Sequence, residues 1–424
     1  MEKKEKNIIL FVNYVPDTAI KEIREYGKKI KKDLKVAIIK DKGVEESKLT
    51  NSEEPIDLII PCDFDDPVKI MKALLPYKEE FLAITCRQEK NIPDFAKIIP
   101  NVPYLKTPTS KSLEWSVEKY MMRRRFNSYD KKITPRYLLI KDCSKETLEK
   151  IKEKVGFPLM VKPSNLAASL MVSVCFYEEE LRDTLKACFR KINRVYEEND
   201  RQKEPHLLVE QFMEGDMYSI DAYVNSRGGM RFCPLVKVKT GKQIGFDDFF
   251  GYQQMTPAKL KTSAVLEAEE VARKAVHALG LRSNSAHVEL MRTEDGWKVI
   301  EVGPRLGGWR DYLYKLSFGI NHSLNDVLNR IPQKPIIPKK VKGHSAFLKI
   351  FAKKEGKLKS IKGLKKVKEL ESCVELKVDK KVGDMCKFAK NGGRAVCVMV
   401  FFNEERSKLL ADIRRMEKAL KIET

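Results

Sequence analysis

The sequence lacks any long hydrophobic run. No segment approaches the ~20 consecutive apolar residues that a membrane-spanning helix needs. Residues 1–6 are mostly charged and contain no apolar signal core. We therefore expect a cytoplasmic protein.

Cysteine pairs and nucleotide-binding glycine patterns are also missing. The nine cysteines are scattered singly without a CxxC pair, which argues against a zinc or redox motif and predicts reduced thiols. No GxGxxG follows the first predicted strand at residues 8–12, so a dinucleotide is not expected there. Convincing Ser-His or Cys-His arrangements are absent too, which argues against an enzyme nucleophile.

Length and composition indicate several globular domains. The chain has 424 residues, of which 42% are apolar and 33% charged, and this length favours roughly two to four cores. Proline-rich connectors at residues 99–108 and 331–338 mark two boundaries, because proline interrupts helices and stiffens linkers. We predict domains over residues 1–108, 109–332 and 339–424.

Hydrophobic patterning predicts a different fold class for each end of the chain. In the first hundred residues, short apolar runs alternate with amphipathic segments, which is typical of a parallel α/β sheet. The last unit shows short strands followed by a helix over 404–420, which predicts a small α+β lobe. The fold class is therefore a multidomain combination of α/β and α+β units.

The net charge of +22 raises the question of an anionic partner. The lysines are spread along the whole chain, with one dense cluster at 353–368, and no aromatic residues interleave with them. We interpret them as a solvated surface and expect no nucleic-acid partner and no membrane partner. A homodimer is compatible with the sequence.

The central domain carries lysine, acids and glycines at the ends of short apolar runs. One run ends in Lys162, and a buried lysine at a strand end requires an anionic partner. A second run, VEQF at 209–212, leads into MEG and then YSID. Two further runs carry Glu289 in HVEL and Glu301 at the start of EVGPRLGG.

Glu289 and Glu301 are predicted to lie side by side. An Asp-Gly pair at 295–296 separates their runs and predicts a hairpin turn. Adjacent carboxylates repel unless a cation lies between them, and hard oxygen ligands suit Mg²⁺. Arg305, in a glycine-rich segment, supplies a planar donor for phosphate or carboxylate.

The order of these motifs resembles the ATP-grasp superfamily over residues 111–330. The resemblance implies an ATP-grasp fold behind a Rossmann-like pre-ATP-grasp domain, with a nucleotide-binding subdomain over about 133–213 and a catalytic core over about 214–332. In the tail, residues 356–364 and 382–384 resemble the C-terminal lobe of L-amino-acid and dipeptide ligases of the bacilysin-synthetase kind.

The resemblance also implies roles for individual residues. Lys119 and Lys162 would bind the phosphates of ATP, and Glu289 and Glu301 would hold Mg²⁺ or Mn²⁺. Arg305 would stabilise the transferring phosphoryl group. The other implied nucleotide contacts follow the two strands and their loops, at Ser169, Glu210, Gln211, Phe212 and Asp216. The glutamate at 210 would act mainly through its backbone.

Substrate contacts are expected beside the second carboxylate. The candidates are His287, for which packing and substrate contact stay equally open, and Gly307, Gly308 and Arg310. The aromatic, glycine-punctuated segment 237–252 is interpreted as a loop that covers the site, with Lys237 contacting the phosphoryl group.

Three positions depart from the ATP-grasp pattern. The loop 164–169 contains alanines in place of glycines, and Met217 stands where an acid usually receives the ribose, so that Asp216 or Glu214 would substitute. Gly303 replaces an asparagine that often completes the metal shell. These departures leave a non-catalytic ATP-binding protein open as an alternative.

The implied reaction is ligation: a carboxylate is activated by ATP as an acyl phosphate, and an amine then attacks it. The substrates would be small molecules, an amino acid or small acid together with an amine. Carbamoyl-phosphate or carboxylase chemistry is a second alternative, although no biotin-accepting or glutaminase segment is visible. A nucleic-acid-linked role would rest on the net charge alone.

Overall fold

The N-terminal unit is a parallel sheet flanked by helices. The computed structural model describes residues 5–166, 170–198, 204–331 and 333–424. The strands are β1 (Ile8–Val12), β2 (Lys35–Asp41), β3 (Leu58–Cys62) and β4 (Phe81–Thr85), and the helices are α1 (Ala19–Lys29), α2 (Pro67–Leu74), α3 (Ile92–Ile98) and α4 (Ser110–Val117). All strand pairs are parallel in the order β3-β2-β1-β4, which confirms the predicted α/β sheet.

A smaller antiparallel sheet follows. Its strands β5 (Tyr137–Ile140), β6 (Leu159–Pro163), β7 (Ser173–Cys175) and β8 (Leu207–Gln211) lie in the order β5-β8-β6-β7, beside helices α6 (Lys145–Lys154) and α7 (Glu178–Glu198). Helix α5 (Lys119–Asp130) precedes this sheet in the chain. Ser144 caps the N-terminus of α6, and its hydroxyl accepts a hydrogen bond from the Thr147 amide. Helix α7 buries Leu181, Leu185 and Cys188 on one face because they recur at helical spacing.

The largest sheet holds nine strands in the described part of the chain. Its central elements are β9 (Asp216–Val224), β10 (Met230–Phe232), β11 (Val236–Thr240), β12 (Gly251–Thr256), β13 (Asn284–Thr293) and β14 (Gly296–Gly303), with helices α8 (Thr262–Ala278), α9 (Arg310–Phe318) and α10 (His322–Arg330). The β13–β14 pair is the predicted hairpin, and Gly296 takes the positive φ that the turn requires. The hairpin prediction is confirmed.

The C-terminal part extends the same sheet. Its elements are β15 (His344–Ile350), β16 (Gly356–Lys357), β17 (Ser360–Lys362), α11 (Leu364–Lys368), β18 (Cys373–Val378), β19 (Met385–Cys386), β20 (Cys397–Asn403), α12 (Arg406–Ala419) and β21 (Lys421–Glu423). Strand β15 pairs with β12, and β20 and β18 continue the sheet outward. The predicted lobe is thus joined to the central sheet by backbone hydrogen bonds, and the predicted domain boundaries stay predictions.

The N-terminal sheet packs on the central unit through α10. Leu324, Val327 and Leu328 of α10 share a core with Ile9 and Phe11 of β1. This packing brings the carboxyl end of β4 next to the loop that follows β14.

Within the described ranges, no helix is long and apolar enough to cross a membrane.

The nine cysteines are free thiols, as predicted, and eight of them are buried or half-buried. Cys143 is the exposed exception.

Candidate active site

A cavity of about 1010 Å³ lies between the two antiparallel sheets. Most of the predicted site residues line it: Lys119, Lys162, Glu210, Gln211, Phe212, His287, Glu289, Glu301, Arg305, Gly308 and Arg310. Three of the predicted residues, Asp216, Lys237 and Gly307, do not line it. The prediction for Ser169 lies outside the described residues.

Two carboxylates face each other on the hairpin at one wall of the cavity. Glu289 of β13 is the direct cross-strand partner of Glu301 of β14. Burial raises the pKa of Glu289, but the neighbouring His287 imidazole outweighs this effect and leaves the pKa below its ordinary value. Both side chains are half-buried and keep oxygen atoms toward the cavity.

Lys119, the first residue of α5, lies beside this carboxylate pair. Its Nζ is 3.3 Å from Oε2 of Glu301 and donates to the Leu166 carbonyl at 2.7 Å. Burial alone would lower the pKa of Lys119, but the carboxylates of Glu301 and Glu89 raise it above its ordinary value. The ammonium group therefore stays charged at neutral pH.

Lys162 and Glu210 belong to a buried ionic cluster. Lys162 Nζ lies 2.7 Å from Glu210 Oε2, and Arg123 of α5 donates to both Glu210 oxygens, at 2.6 and 3.1 Å. Arg123 also donates to the Val299 and Ile300 carbonyls of β14. The cluster thus ties α5, the smaller sheet and the hairpin together.

The role expected for Glu210 therefore needs correction. Its side chain is only 2% exposed and neutralises two buried cations, whereas the sequence suggested a side chain of little importance. The amides of Gln211 and Phe212 are also engaged, donating to the carbonyls of Arg136 and Pro158 at 2.9 and 3.0 Å. Neither amide is free to bind a nucleotide in this arrangement.

Arg305 is paired with Glu89, a residue that no sequence motif indicated. Its guanidinium donates to the Glu89 carboxylate and to the Leu306 carbonyl. Glu89 follows β4, at the carboxyl edge of the parallel sheet, where α/β folds commonly place functional groups. The location of Glu89 just after a parallel strand was the one feature of the sequence that could have indicated a functional residue there, since no motif surrounds it.

His287 is oriented by a buried carboxylate on β9. Asp221 is 0% exposed and accepts hydrogen bonds from His287 Nδ1 at 2.6 Å, His322 Nε2 at 2.7 Å and the Gly307 amide at 2.7 Å. Burial would raise the pKa of Asp221, but the two imidazoles hold it well below its usual range. This arrangement aims His287 Nε2 toward Glu289 Oε1, 3.6 Å away.

Gly307 contributes to this arrangement without facing the cavity. A Cβ at this position would lie 2.5 Å from His287 Nδ1 and 2.7 Å from Arg310 Cγ. The close approach of backbone to both side chains explains why glycine occupies the position.

Asp216 and Lys237 lie on the opposite face of the large sheet. Their side chains pair with each other at 2.9 Å and are each more than 40% exposed. Side chains alternate along a strand, and Met217 and Val238 are the neighbours that face the cavity. The expected nucleotide and phosphoryl contacts of Asp216 and Lys237 are therefore not supported, and Glu214 is the acid that lines the cavity nearby.

The loop within segment 237–252 is shorter than the sequence predicted. Strands β11 and β12 occupy its two ends, so that only residues 241–250 connect them. Phe249 and Phe250 of this connection line the cavity, and Lys242 Nζ lies 5.2 Å from the Phe249 ring centroid. The aromatic residues therefore form part of the cavity wall.

The family comparison agrees with this geometry. Residues 155–312 match the ATP-grasp domain, and residues 349–424 match the L-amino acid ligase C-terminal domain 2. The chain carries an ATP-grasp domain. The matched ATP-grasp segment contains Lys162, both hairpin glutamates and Arg305, whereas Lys119 and Glu89 precede it.

Among characterised proteins, the chain is similar to the alanine–anticapsin ligase of Bacillus amyloliquefaciens. The two are 28% identical over 296 residues, which is 65% of this chain, and the chain spans 59% of that relative's length.

Two solved structures show the same fold. An L-amino acid ligase from Bacillus licheniformis matches with a TM-score of 0.74 at 20% identity, covering 99% of both chains. N5-carboxyaminoimidazole synthetase from Staphylococcus aureus, complexed with ADP, matches with a TM-score of 0.68 at 13% identity, covering 97% of both chains. The chain therefore shares the fold of these two proteins over nearly its whole length.

Proposed function

We propose that this protein is an ATP-dependent ligase that joins the carboxylate of an amino acid or small acid to an amine. The observation that carries the proposal is the facing pair Glu289 and Glu301 in one cavity with Lys119, Lys162 and Arg305. The similarity to an alanine–anticapsin ligase supports amino acids as the substrates.

Two lysines serve the nucleotide in this proposal. Lys119 and Lys162 enter the cavity from different elements, α5 and β6, and present ammonium groups to the same space. Each lysine already contacts a protein carboxylate, Glu301 for Lys119 and Glu210 for Lys162. The phosphates of bound ATP would therefore share these ammonium groups with the carboxylates. Phe212 lines the cavity at the end of β8 and would contact the adenine through its ring.

The hairpin carboxylates fit a magnesium ion. Mg²⁺ is bound in proteins by one or two carboxylates together with substrate phosphates and water. Glu289 and Glu301 supply the two carboxylates, and among the described residues no larger cluster of His, Cys, Asp or Glu forms a metal site. When bound, the ion would neutralise charge on the β- and γ-phosphates of ATP.

The chemistry requires no covalent attachment to the protein. An oxygen of the substrate carboxylate attacks the γ-phosphorus of ATP, the bond to the bridging oxygen breaks, and ADP leaves. The amine nitrogen then attacks the acyl carbon, phosphate departs, and the nitrogen loses a proton to give the amide. Arg305 would stabilise the charge on the transferring phosphoryl group, while Glu89 and the Leu306 carbonyl hold its guanidinium in place.

Phosphate release from ATP and Mg²⁺ across a panel of amino acids, singly and in pairs, tests the proposal. We expect release with particular pairs only, and a loss of about 10²-fold or more in Glu301→Gln, because charge stabilisation at a reaction centre has that magnitude. Glu294→Gln is the matched control, since Glu294 is exposed at the turn of the same hairpin.

Three results would contradict the proposal. Nucleotide binding without turnover for any pair would favour a non-catalytic ATP-binding protein. Turnover that requires bicarbonate or ammonia in place of an amino acid would favour carboxylase or carbamoyl-phosphate chemistry. Equal activity in Glu301→Gln and Glu294→Gln would show that the hairpin carboxylates do not take part.

A further inference from the structure

Arg310 is a buried cation in the cavity whose hydrogen-bond partners are all neutral, although the Glu289 carboxylate lies close enough to interact with it electrostatically. It is 3% exposed, and its guanidinium donates to the Ser219 hydroxyl at 2.6 Å, the Gly308 carbonyl at 3.3 Å and the Gln254 side chain. Its Nε is buried and has no hydrogen-bond partner. No carboxylate of the described chain forms an ion pair with it.

Lys349 lies in the same cavity, and its side chain forms no hydrogen bond or ion pair with the described residues. It is contributed by β15, from the C-terminal part of the chain. Burial lowers the pKa of Lys349 and the charge of Arg310 lowers it further, while Glu289 opposes this in part without forming an ion pair. Neither Lys349 nor Arg310 has a carboxylate of the described chain at ion-pair distance, and Glu289 acts on both only from farther away.

The position of Lys349 is defined by aromatic packing. Phe347 lies two residues before Lys349 on β15, and Phe351 follows directly after the end of the strand. Phe347 stacks on Trp309 with ring centroids 4.3 Å apart, and Phe351 contacts Phe250 at 4.2 Å. This packing therefore fixes the backbone of Lys349, and its side chain lines the cavity.

The contrast with the other cations of the cavity is the decisive feature. Lys119, Lys162 and Arg305 are each matched by a carboxylate of the protein. A buried cation is costly unless it is paired, so an enclosed and unmatched pair of cations indicates a place for an anionic ligand. At the rim, Arg394 adds a third, exposed cation, and the acid Asp379 is already paired with Lys377 at 3.5 Å.

We propose that Arg310 and Lys349 form a receptor for an additional carboxylate on one of the two substrates, so that the ligase uses an acidic amino acid or another dicarboxylate. The inference rests on the proposed ligase function and names the substrate class of that site. Trp309 and Phe351, which also line the cavity, would contact the carbon chain between the two carboxylates.

Matched pairs of amino acids provide the test, because L-aspartate and L-asparagine, or L-glutamate and L-glutamine, differ in charge but hardly in shape. With each as the varied substrate in phosphate release, we expect the acid to exceed its amide in kcat/KM by about ten- to hundredfold, the usual worth of a charged hydrogen bond. Lys349→Met should reduce this ratio to within about threefold, and Lys349→Arg should preserve it. The KM for ATP should be unchanged in both variants.

Lys418→Met is the matched control, since Lys418 is exposed on α12 and has no ion pair among the described contacts. A second measurement uses binding alone: thermal unfolding with each amino acid in the presence of ADP and Mg²⁺. We expect stabilisation of the protein and of Lys418→Met by the acids above the amides, and no such difference in Lys349→Met.

The outcomes separate this inference from the proposed function. Turnover with neutral amino acids only, or an acid-to-amide ratio near one, would refute the receptor while the ligase stands. A raised KM for ATP in Lys349→Met with an unchanged ratio would show that the cations bind phosphate instead, which also refutes it. If no substrate is turned over, the ligase proposal fails, and the unfolding measurement still decides whether acids bind through Lys349.

Discussion

The buried cluster of Arg123, Glu210 and Lys162 allows a quantitative prediction about stability. Glu210→Gln keeps the size of the side chain but removes the charge that neutralises two buried cations. Because the cations remain buried without a counter-charge, the change should destabilise the folded protein rather than merely delete one contact.

Two estimates of the size of this effect agree. Removing one partner of a buried ion pair costs about 3–5 kcal/mol. Independently, burial raises the pKa of Glu210, but the charges of Arg123 and Lys162 outweigh it and lower the pKa from 4.5 to about 2. A carboxyl whose pKa falls by that amount on folding contributes about 3 kcal/mol at neutral pH.

Thermal unfolding measures the effect. For a unit of about 200 residues, 3–5 kcal/mol corresponds to a midpoint lowered by roughly 6–20 °C. Glu153→Gln is the matched control, because Glu153 is exposed on α6 and has no recorded ion pair. A midpoint for Glu210→Gln within about 2 °C of the control would refute the reasoning.

The pH dependence has a definite sign. The folded pKa of Glu210 is depressed, so its contribution to stability is fully present above pH ~4.5 and is lost as the pH falls through about 2. The difference between the wild-type protein and Glu210→Gln should therefore be complete at pH 7 and should narrow below pH ~4.5.

Two further changes test the catalytic wall of the cavity. Arg305→Met should lower kcat in steady-state phosphate release by about 10²–10³-fold, because it removes charge stabilisation of the transition state. Arg190→Met is the control, since Arg190 is exposed on α7, and it should leave kcat unchanged. Equal kcat values for the two variants would contradict the role of Arg305 in phosphoryl transfer. Gly307→Ala would place a Cβ 2.5 Å from His287 and 2.7 Å from Arg310. Displacement of these two side chains should lower kcat/KM by about 100-fold. Wild-type kinetics for Gly307→Ala would show that the positions of His287 and Arg310 are unimportant for the reaction.

Local sequence patterns predicted the elements whose contacts are close along the chain. The parallel strands of the N-terminal unit follow from alternating apolar runs, and the β13–β14 hairpin follows from the Asp-Gly turn. Because a hairpin pairs neighbouring segments, the opposition of Glu289 and Glu301 could be predicted from their spacing and the turn between them.

Partners that are distant in the chain could not be predicted in this way. Glu89 is 216 residues from Arg305, and Arg123 is 87 residues from Glu210. No periodicity or spacing rule connects such positions, since their contact depends on how separate units pack. The cavity therefore contains more carboxylates and more paired cations than the motifs alone suggested.

The position of Asp216 and Lys237 outside the cavity has a simple geometric cause. Adjacent residues on a strand point to opposite faces, so a motif that lies one position from the correct phase predicts the wrong side of the sheet. The neighbouring residues Met217 and Val238 face the cavity instead.

The sequence by itself determined the alternation of strands and helices in the N-terminal unit, the hairpin with its two carboxylates, and the lysine and arginine motifs, because each depends on residues close along the chain. Only the tertiary structure decided which cations are neutralised, since Glu89 and Arg123 reach their partners through packing between units. It also decided that Arg310 and Lys349 line one cavity without an ion pair to a protein carboxylate in the described chain, because β15 joins the central sheet beside β12.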